Sequence, residues 1–248
     1  MNGIVGILIF FLALTWGCAD DVHEIEYGVQ PDHSSFVPAR IAVLKCRNWP
    51  AGARFKSLPL SNFTPEELKG LCKEFDQFVL KGFESQPYMR GLSPRAVERV
   101  LGPEFLMRID REWRHLPEDC QFCGGPPSFY AESVAVRADW RTWLGQLSRN
   151  TKNADAVLMP FLTHGFQRSW NDRGILLTER VAGITALLID TNNGNLLWAG
   201  GRSAVASNQK LADKPTTENP SPPEWKMLHR RLFTQDVWKE FPGRQVYH

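Results

Sequence analysis

The stretch Ile184-Thr-Ala-Leu-Leu-Ile-Asp190-Thr-Asn-Asn-Gly194-Asn195-Leu-Leu-Trp198 decides the fold. Its first part closes a long segment, Ile175 to Ile189, that is rich in β-branched residues and leucine and reads as a strand. Asp190 to Asn195 is a turn, because Asn and Gly take up positive φ at little cost. Leu196 to Val205 then returns as the paired antiparallel strand, with Trp198 on it. Upstream, Ala154 to Leu162 is a further strand, and the compact apolar run Ala39 to Cys46 is an early one.

Helices fill the space between these strands. Thr64-Pro65-Glu66-Glu67 is a helix start, with Thr64 as cap and Glu67 placed to close a capping box. Leu68, Leu71, Cys72, Phe75, Phe78 and Val79 then recur at helical spacing on one face. Ser93-Pro94 opens a short helix with Val97, Val100 and Leu101 inward, and Gly102-Pro103 restarts a third with Phe105, Ile109 and Trp113 along one side. Residues from about Glu118 to Ser128 form a loop holding CQFCGGPP. A helix from about Val134 to Arg149 carries Trp140, Trp143, Leu144 and Leu147, with its basic residues on a solvated face. Residues 208–223 are polar and rich in proline and read as a loop. Pro223 to about Phe241 is helical, anchored by Trp225, Leu228, Leu232 and Trp238. The order implies an α+β (α/β layered) domain, with a mixed sheet, a C-terminal antiparallel hairpin and helices packed on its faces.

The 248 residues open on an uncharged run of fifteen, Gly3 to Gly17, ahead of Cys18. A membrane-spanning helix needs about 20 apolar residues, so the run fits the core of a secretory signal better. Leu14-Thr-Trp-Gly17-Cys18 resembles a bacterial lipobox, although Trp16 is atypical there and no Lys or Arg precedes the run. Cleavage before Cys18 would leave a lipidated, palmitate-bearing cysteine. Cleavage after Ala19 would discard it, and an uncleaved anchor is the third reading. The division expected is a signal peptide over 1–17, a polar tether over 18–37 and a single domain over 38–248. A net charge of +2 implies no strong polyanion partner, and 43% apolar residues with nine tryptophans suffice for a core.

Several marks in this order resemble a known group. They are Arg40 to Leu44, Ala154 to Pro160, and the hairpin Ala186 to Trp198 with Asp190, Gly194 and Trp198. The chain is similar in them, over roughly residues 38–206, to the CsgG/LpoB-type periplasmic lipoproteins, which also resemble the amino-terminal domain of TolB. The resemblance implies an outer-membrane lipid anchor facing the periplasm and a non-enzymatic role through protein contacts in envelope assembly or secretion. It implies no cofactor, no nucleic acid and no small-molecule substrate. Some members of the group form secretion channels, so a subunit of an oligomeric outer-membrane channel is a further alternative. Here only Phe161 to Trp170 alternates as a barrel strand would. Others reach across the periplasm, whereas this tether extends to about 60 Å at most.

Four cysteines follow Cys18, namely Cys46, Cys72, Cys120 and Cys123, and four allow three pairings. Cys46 with Cys72 and Cys120 with Cys123 is the favoured set, since Cys46 falls on a strand and Cys72 on the next helix. The Cys120-x-x-Cys123 pair also opens a competing reading, an exported redox or metal protein, with Cys46, Cys72 or His115 as further ligands. Gly124-Gly-Pro-Pro127 after it is a poor helix opening for a redox motif. His164 is expected to serve a hydrogen bond. No nucleophile elbow, phosphate loop or dinucleotide fingerprint occurs.

Overall fold

A computed structural model describes residues 36–49, 63–84, 86, 88–114, 125–212, 218–238 and 240–243. In chain order the elements are β1 (Arg40–Val43), β2 (Arg47–Asn48), α1 (Pro65–Glu84), β3 (Arg90–Leu92), α2 (Pro94–Leu101) and α3 (Pro103–Arg114). Then come α4 (Gly125–Phe129), a π-helical turn (Tyr130–Val134), α5 (Ala138–Asn150), β4 (Ala156–Asp172), β5 (Ile175–Asp190), β6 (Leu196–Leu211), α6 (Trp225–Leu232) and a 3-10 turn (Gln235–Trp238). The fold is α+β, as expected, and the expected tether and signal peptide fall almost wholly outside the described residues.

The sheet runs β3-β1-β4-β5-β6, with β2 paired to β4 beyond the end of β1. β1 is parallel to both β3 and β4, while β4, β5 and β6 are antiparallel. One side chain ties the parallel part together. The Asp155 carboxylate accepts the backbone N–H groups of Ala39 and Arg40 at 3.0 and 2.9 Å. At the decisive turn, Gly194 has φ +78, and its N–H closes back on the Asp190 carbonyl at 3.0 Å.

Two hydrophobic cores lie on the two faces. On one, Leu71, Phe75 and Val79 of α1 and Leu228 and Leu232 of α6 pack against Ile41, Leu158, Leu188 and Trp198. On the other, Val97 of α2, Ile109 of α3 and Trp140, Trp143 and Leu147 of α5 pack against Val157, Phe161 and Leu187. Alternation along each strand feeds both layers, which is why β4 and β5 are apolar at successive residues through this region. The capping box of α1 forms both its bonds, Thr64 N–H to Glu67 at 2.9 Å and Glu67 N–H to Thr64 Oγ1 at 3.2 Å.

Seven expectations are corrected. The strand expected over Ala39 to Cys46 covers only Arg40–Val43, so Cys46 lies between β1 and β2. The closing helix expected to reach Phe241 stops at Leu232, because Phe233 leaves the helical region (φ −94, ψ 62), and only a 3-10 turn follows. β4 extends ten residues past Leu162, and β6 extends six past Val205 into the expected loop. The polar segments are held by their register with β5, not by their own hydrophobicity. The cysteine loop does not reach Ser128, because α4 starts at Gly125 and its first turn takes Pro126 and Pro127, whose missing N–H groups need no partner there. The tryptophan helix begins at Ala138 rather than Val134, since Arg137 is extended (φ −83, ψ 125). Val100 is 55% exposed, with Val97 taking the inward place on α2.

Candidate functional site

The residues singled out by sequence fall in three places. Cys18, Cys120 and Cys123 lie outside the described residues, as does His115. Cys46 and Cys72 are joined by a disulfide, which pins the turn after β1 to the second turn of α1. One helical turn on, the Asp76 carboxylate accepts the Cys46 N–H at 2.9 Å. Burial pushes the Asp76 carboxyl up to about 6, against the opposing pull of that hydrogen bond and of Lys45. With both sulfurs in one bond, Cys46 and Cys72 supply no thiolate to a metal. Among the described residues, no group of three His, Cys, Asp or Glu side chains is placed to hold one.

His164 sits at a β-bulge. Leu162 pairs with Ile184 and His164 with Gly183, leaving Thr163 as the extra residue. The ring crosses the sheet over Gly183. There a Cβ would run into both the ring and the Thr163 hydroxyl. His164 Nε2 meets Ser203 Oγ at 2.9 Å, and Nδ1 meets Thr163 Oγ1 at 3.1 Å. Burial lowers the imidazole pKa and keeps the ring neutral. A serine beside a histidine suggests a nucleophile and base, but Ser203 is itself only 7% exposed and the imidazole is oriented by a hydroxyl, not a carboxylate. The arrangement holds three strands together at a bulge.

Beyond this row β4, β5 and β6 continue as a three-stranded ribbon. It ends at Arg173 and Gly174, both with positive φ (50 and 86), as a two-residue hairpin turn requires. One face of the ribbon is covered. There Arg180 lies over the Trp225 ring at 4.5 Å and donates to the Pro223 carbonyl at 2.8 Å, and Asn208 donates to the Ser221 carbonyl at 2.9 Å. The opposite face carries Phe166, Arg168 and Trp170 of β4, opposite Val181, Glu179 and Leu177 of β5 and Val205, Ser207 and Gln209 of β6. Phe166, Trp170, Leu177 and Val205 are half-buried, while Arg168, Ser207 and Gln209 are exposed. The Arg168 guanidinium stands between the two aromatic rings, 5.6 Å from Phe166 and 4.7 Å from Trp170, and pairs with Glu179 at 3.0 Å. Sequence reasoning noticed Phe161 to Trp170 only as a lone barrel-like stretch. It is one of three long strands, but its Arg168–Glu179 pair sits mid-face, where a lipid-facing stripe would carry apolar side chains. The signal that marks the face was legible as Phe166-x-Arg168-x-Trp170.

No protein-family model matches the chain, and no curated protein matches it in sequence. Among solved structures it is similar to the lipoprotein GNA1162 from Neisseria meningitidis, at 14% identity over 78% of this chain and 92% of that one, with a TM-score of 0.35. It is similar to the hypothetical protein CT253 from Chlamydia trachomatis at 11% identity, over 84% of this chain and 98% of that one, with a TM-score of 0.40. The LpoB C-terminal domain from Salmonella enterica aligns at 10% identity over 68% of this chain and 85% of that one, with a TM-score of 0.31. At these TM-scores the likeness carries no argument, and the fold assignment stands on the strand registers alone.

Proposed function

We propose that the chain is an exported bacterial envelope lipoprotein, anchored in the outer membrane through a lipid on Cys18 and facing the periplasm. In this reading it is non-enzymatic and acts through contacts with an envelope protein, in assembly or secretion. The observation that carries the export half is the Cys46–Cys72 disulfide, a bond that persists in oxidising compartments and follows an uncharged leader ending at a cysteine. The ribbon face that sets exposed Arg168 between two half-buried aromatic rings supports the contact half, since Trp, Phe and Arg are enriched in the cores of protein interfaces.

The test is metabolic labelling with a palmitate analogue, followed by membrane fractionation. The wild-type chain is expected to label and to sediment with outer membranes, and the Cys18→Ala variant to do neither. An unlabelled mature chain with a free Asp20 amine would overturn the anchor. The redox or metal alternative centred on Cys120 and Cys123 is tested by replacing both with Ser. That change is expected to leave any partner contact intact.

A further inference from the structure

α3 and α5 face each other across a groove of about 590 Å³ that the proposed role of the ribbon does not use. From α3 it is lined by Phe105, Arg108 and Arg111, and from α5 and the residue before it by Arg137, Asp139 and Trp143. Residues 104, 108 and 111 form one stripe of α3, and 139, 143 and 146 one stripe of α5, so the lining is two facing helical stripes. The floor is rigid. The Phe105 and Trp143 rings stack at 5.0 Å and 20°, Trp143 stacks on Trp140 at 4.7 Å, and the Trp143 Nε1–H donates to the Phe105 carbonyl at 3.2 Å.

The walls are charged. Arg108 and Arg137 both close on Asp139 Oδ2, at 2.8 and 2.9 Å, and Arg137 Nε reaches Oδ1 at 3.3 Å. The chain's own Asp139 carboxylate thus already sits in the groove, gripped by the Arg137 fork and by one nitrogen of Arg108. With Glu104 and Asp139 against Arg108, Arg111 and Arg137, the lining keeps one positive charge in excess, and Arg111 is exposed. The volume falls within the range of about 300–1,000 Å³ of ligand sites that combine an apolar floor with a few fixed polar groups.

We propose that this groove binds an acidic peptide segment of a protein partner, with a ligand carboxylate joining Asp139 among the guanidinium groups and an adjacent apolar side chain on the Phe105 floor. This inference rests on the reading that the chain works through protein contacts. The single excess positive charge of the lining favours an acidic segment, and the apolar Phe105 floor beside the arginines favours a peptide that carries an apolar side chain next to its carboxylate.

The experiment titrates the full mature chain in detergent against a fluorescent peptide of alternating glutamate and leucine, and against the same peptide with glutamine. The glutamate peptide is expected to bind at least about tenfold more tightly. Arg111→Gln and Arg108→Gln are expected each to weaken it several-fold with unchanged melting temperature. Arg173→Gln, the same loss of charge at the ribbon tip, is expected to leave binding unchanged. Equal binding of both peptides, an equal effect of Arg173→Gln, or equal affinity for a sulfated oligosaccharide of similar charge would each overturn the groove as a carboxylate site. Palmitate labelling and cross-linking from the ribbon read the parent proposal separately, so loss of the groove alone leaves it standing.

Discussion

Two residues carry stability arguments that their surroundings make quantitative. Gly183 lies under the His164 ring, and the bulge at Thr163 brings a second side chain to the same spot. Gly183→Ala is therefore expected to destabilise the chain by about 1–3 kcal/mol through overpacking in denaturant unfolding. Adding His164→Ala is expected to recover part of that loss. Recovery tests the contact itself, because a backbone effect of the glycine would persist in the double variant. Asp76 argues through pH. Its folded-state pKa of about 6 lies above the ordinary 3.8, so the folded chain holds this proton more tightly than the unfolded chain does. Its stabilising contribution is complete below about pH 4 and is lost as pH rises through about 6. Asp76→Asn removes the titration while keeping an oxygen to accept the Cys46 N–H. Above pH 6 the variant is expected to exceed wild type by roughly 1 kcal/mol, discounting for partial exposure, and the gap should close by about pH 4. A constant difference across that window would show that burial of Asp76 is not what sets the slope.

Among the elements, α1 is the one most firmly tied down. Its first turn is capped reciprocally by Thr64 and Glu67, Glu67 also accepts the Trp225 Nε1–H at 3.1 Å, and its second turn is cross-linked to the strand side by Cys72. The disulfide closes a loop with a sequence separation of 26, for which chain-entropy reasoning gives about 3.5 kcal/mol. Reduction, or Cys46→Ala with Cys72→Ala, is expected to lower the unfolding free energy by that order, read as a shift in the urea midpoint. An unchanged midpoint would mean that the bond joins segments already ordered in the unfolded ensemble. This helix was legible in the sequence because its cap, its acidic first turn and its apolar stripe all agree. β5, the turn at Gly194 and the start of β6 were legible for the same reason, a strong pattern with a matching break. β3 was not, because Arg90-Gly-Leu92 has no pattern and becomes a strand only by lying beside β1. The outer halves of β4 and β6 were missed for a related cause. Their residues are polar, and their pairing with β5 is what extends them. α4 was hidden by Pro126-Pro127, which breaks a helix in its middle and starts one at its head.

At the scale of the molecule, the two cores and the ribbon are separate along the sheet. The buried clusters end near Phe161 and Ala199 on one face and near Ala206 on the other, and the open face of the ribbon begins beyond His164. A change on that open face therefore removes little buried apolar area, and stability and contact can be varied independently. Arg168→Glu with Trp170→Ala reverses the charge between the rings and removes one of them. Loss of an ion pair whose Glu179 end is largely buried, a new like-charge contact between Glu179 and the introduced glutamate, and loss of a half-buried ring are together expected to cost about 2–3 kcal/mol. An interface centred on the same residues would lose far more, since central Trp and Arg anchors carry most of the energy where they are used. A photo-cross-linker placed at Gln209, exposed on the same face, reads the contact in intact cells. The wild-type ribbon is expected to give a discrete cross-linked species, and the double variant to lose it while still folding and fractionating with membranes. If wild type gives none, or the variant keeps it, the ribbon is not the surface through which the protein works. The aromatic clamp on Arg168 would then be only a device for keeping a long, sparsely packed strand pair in register.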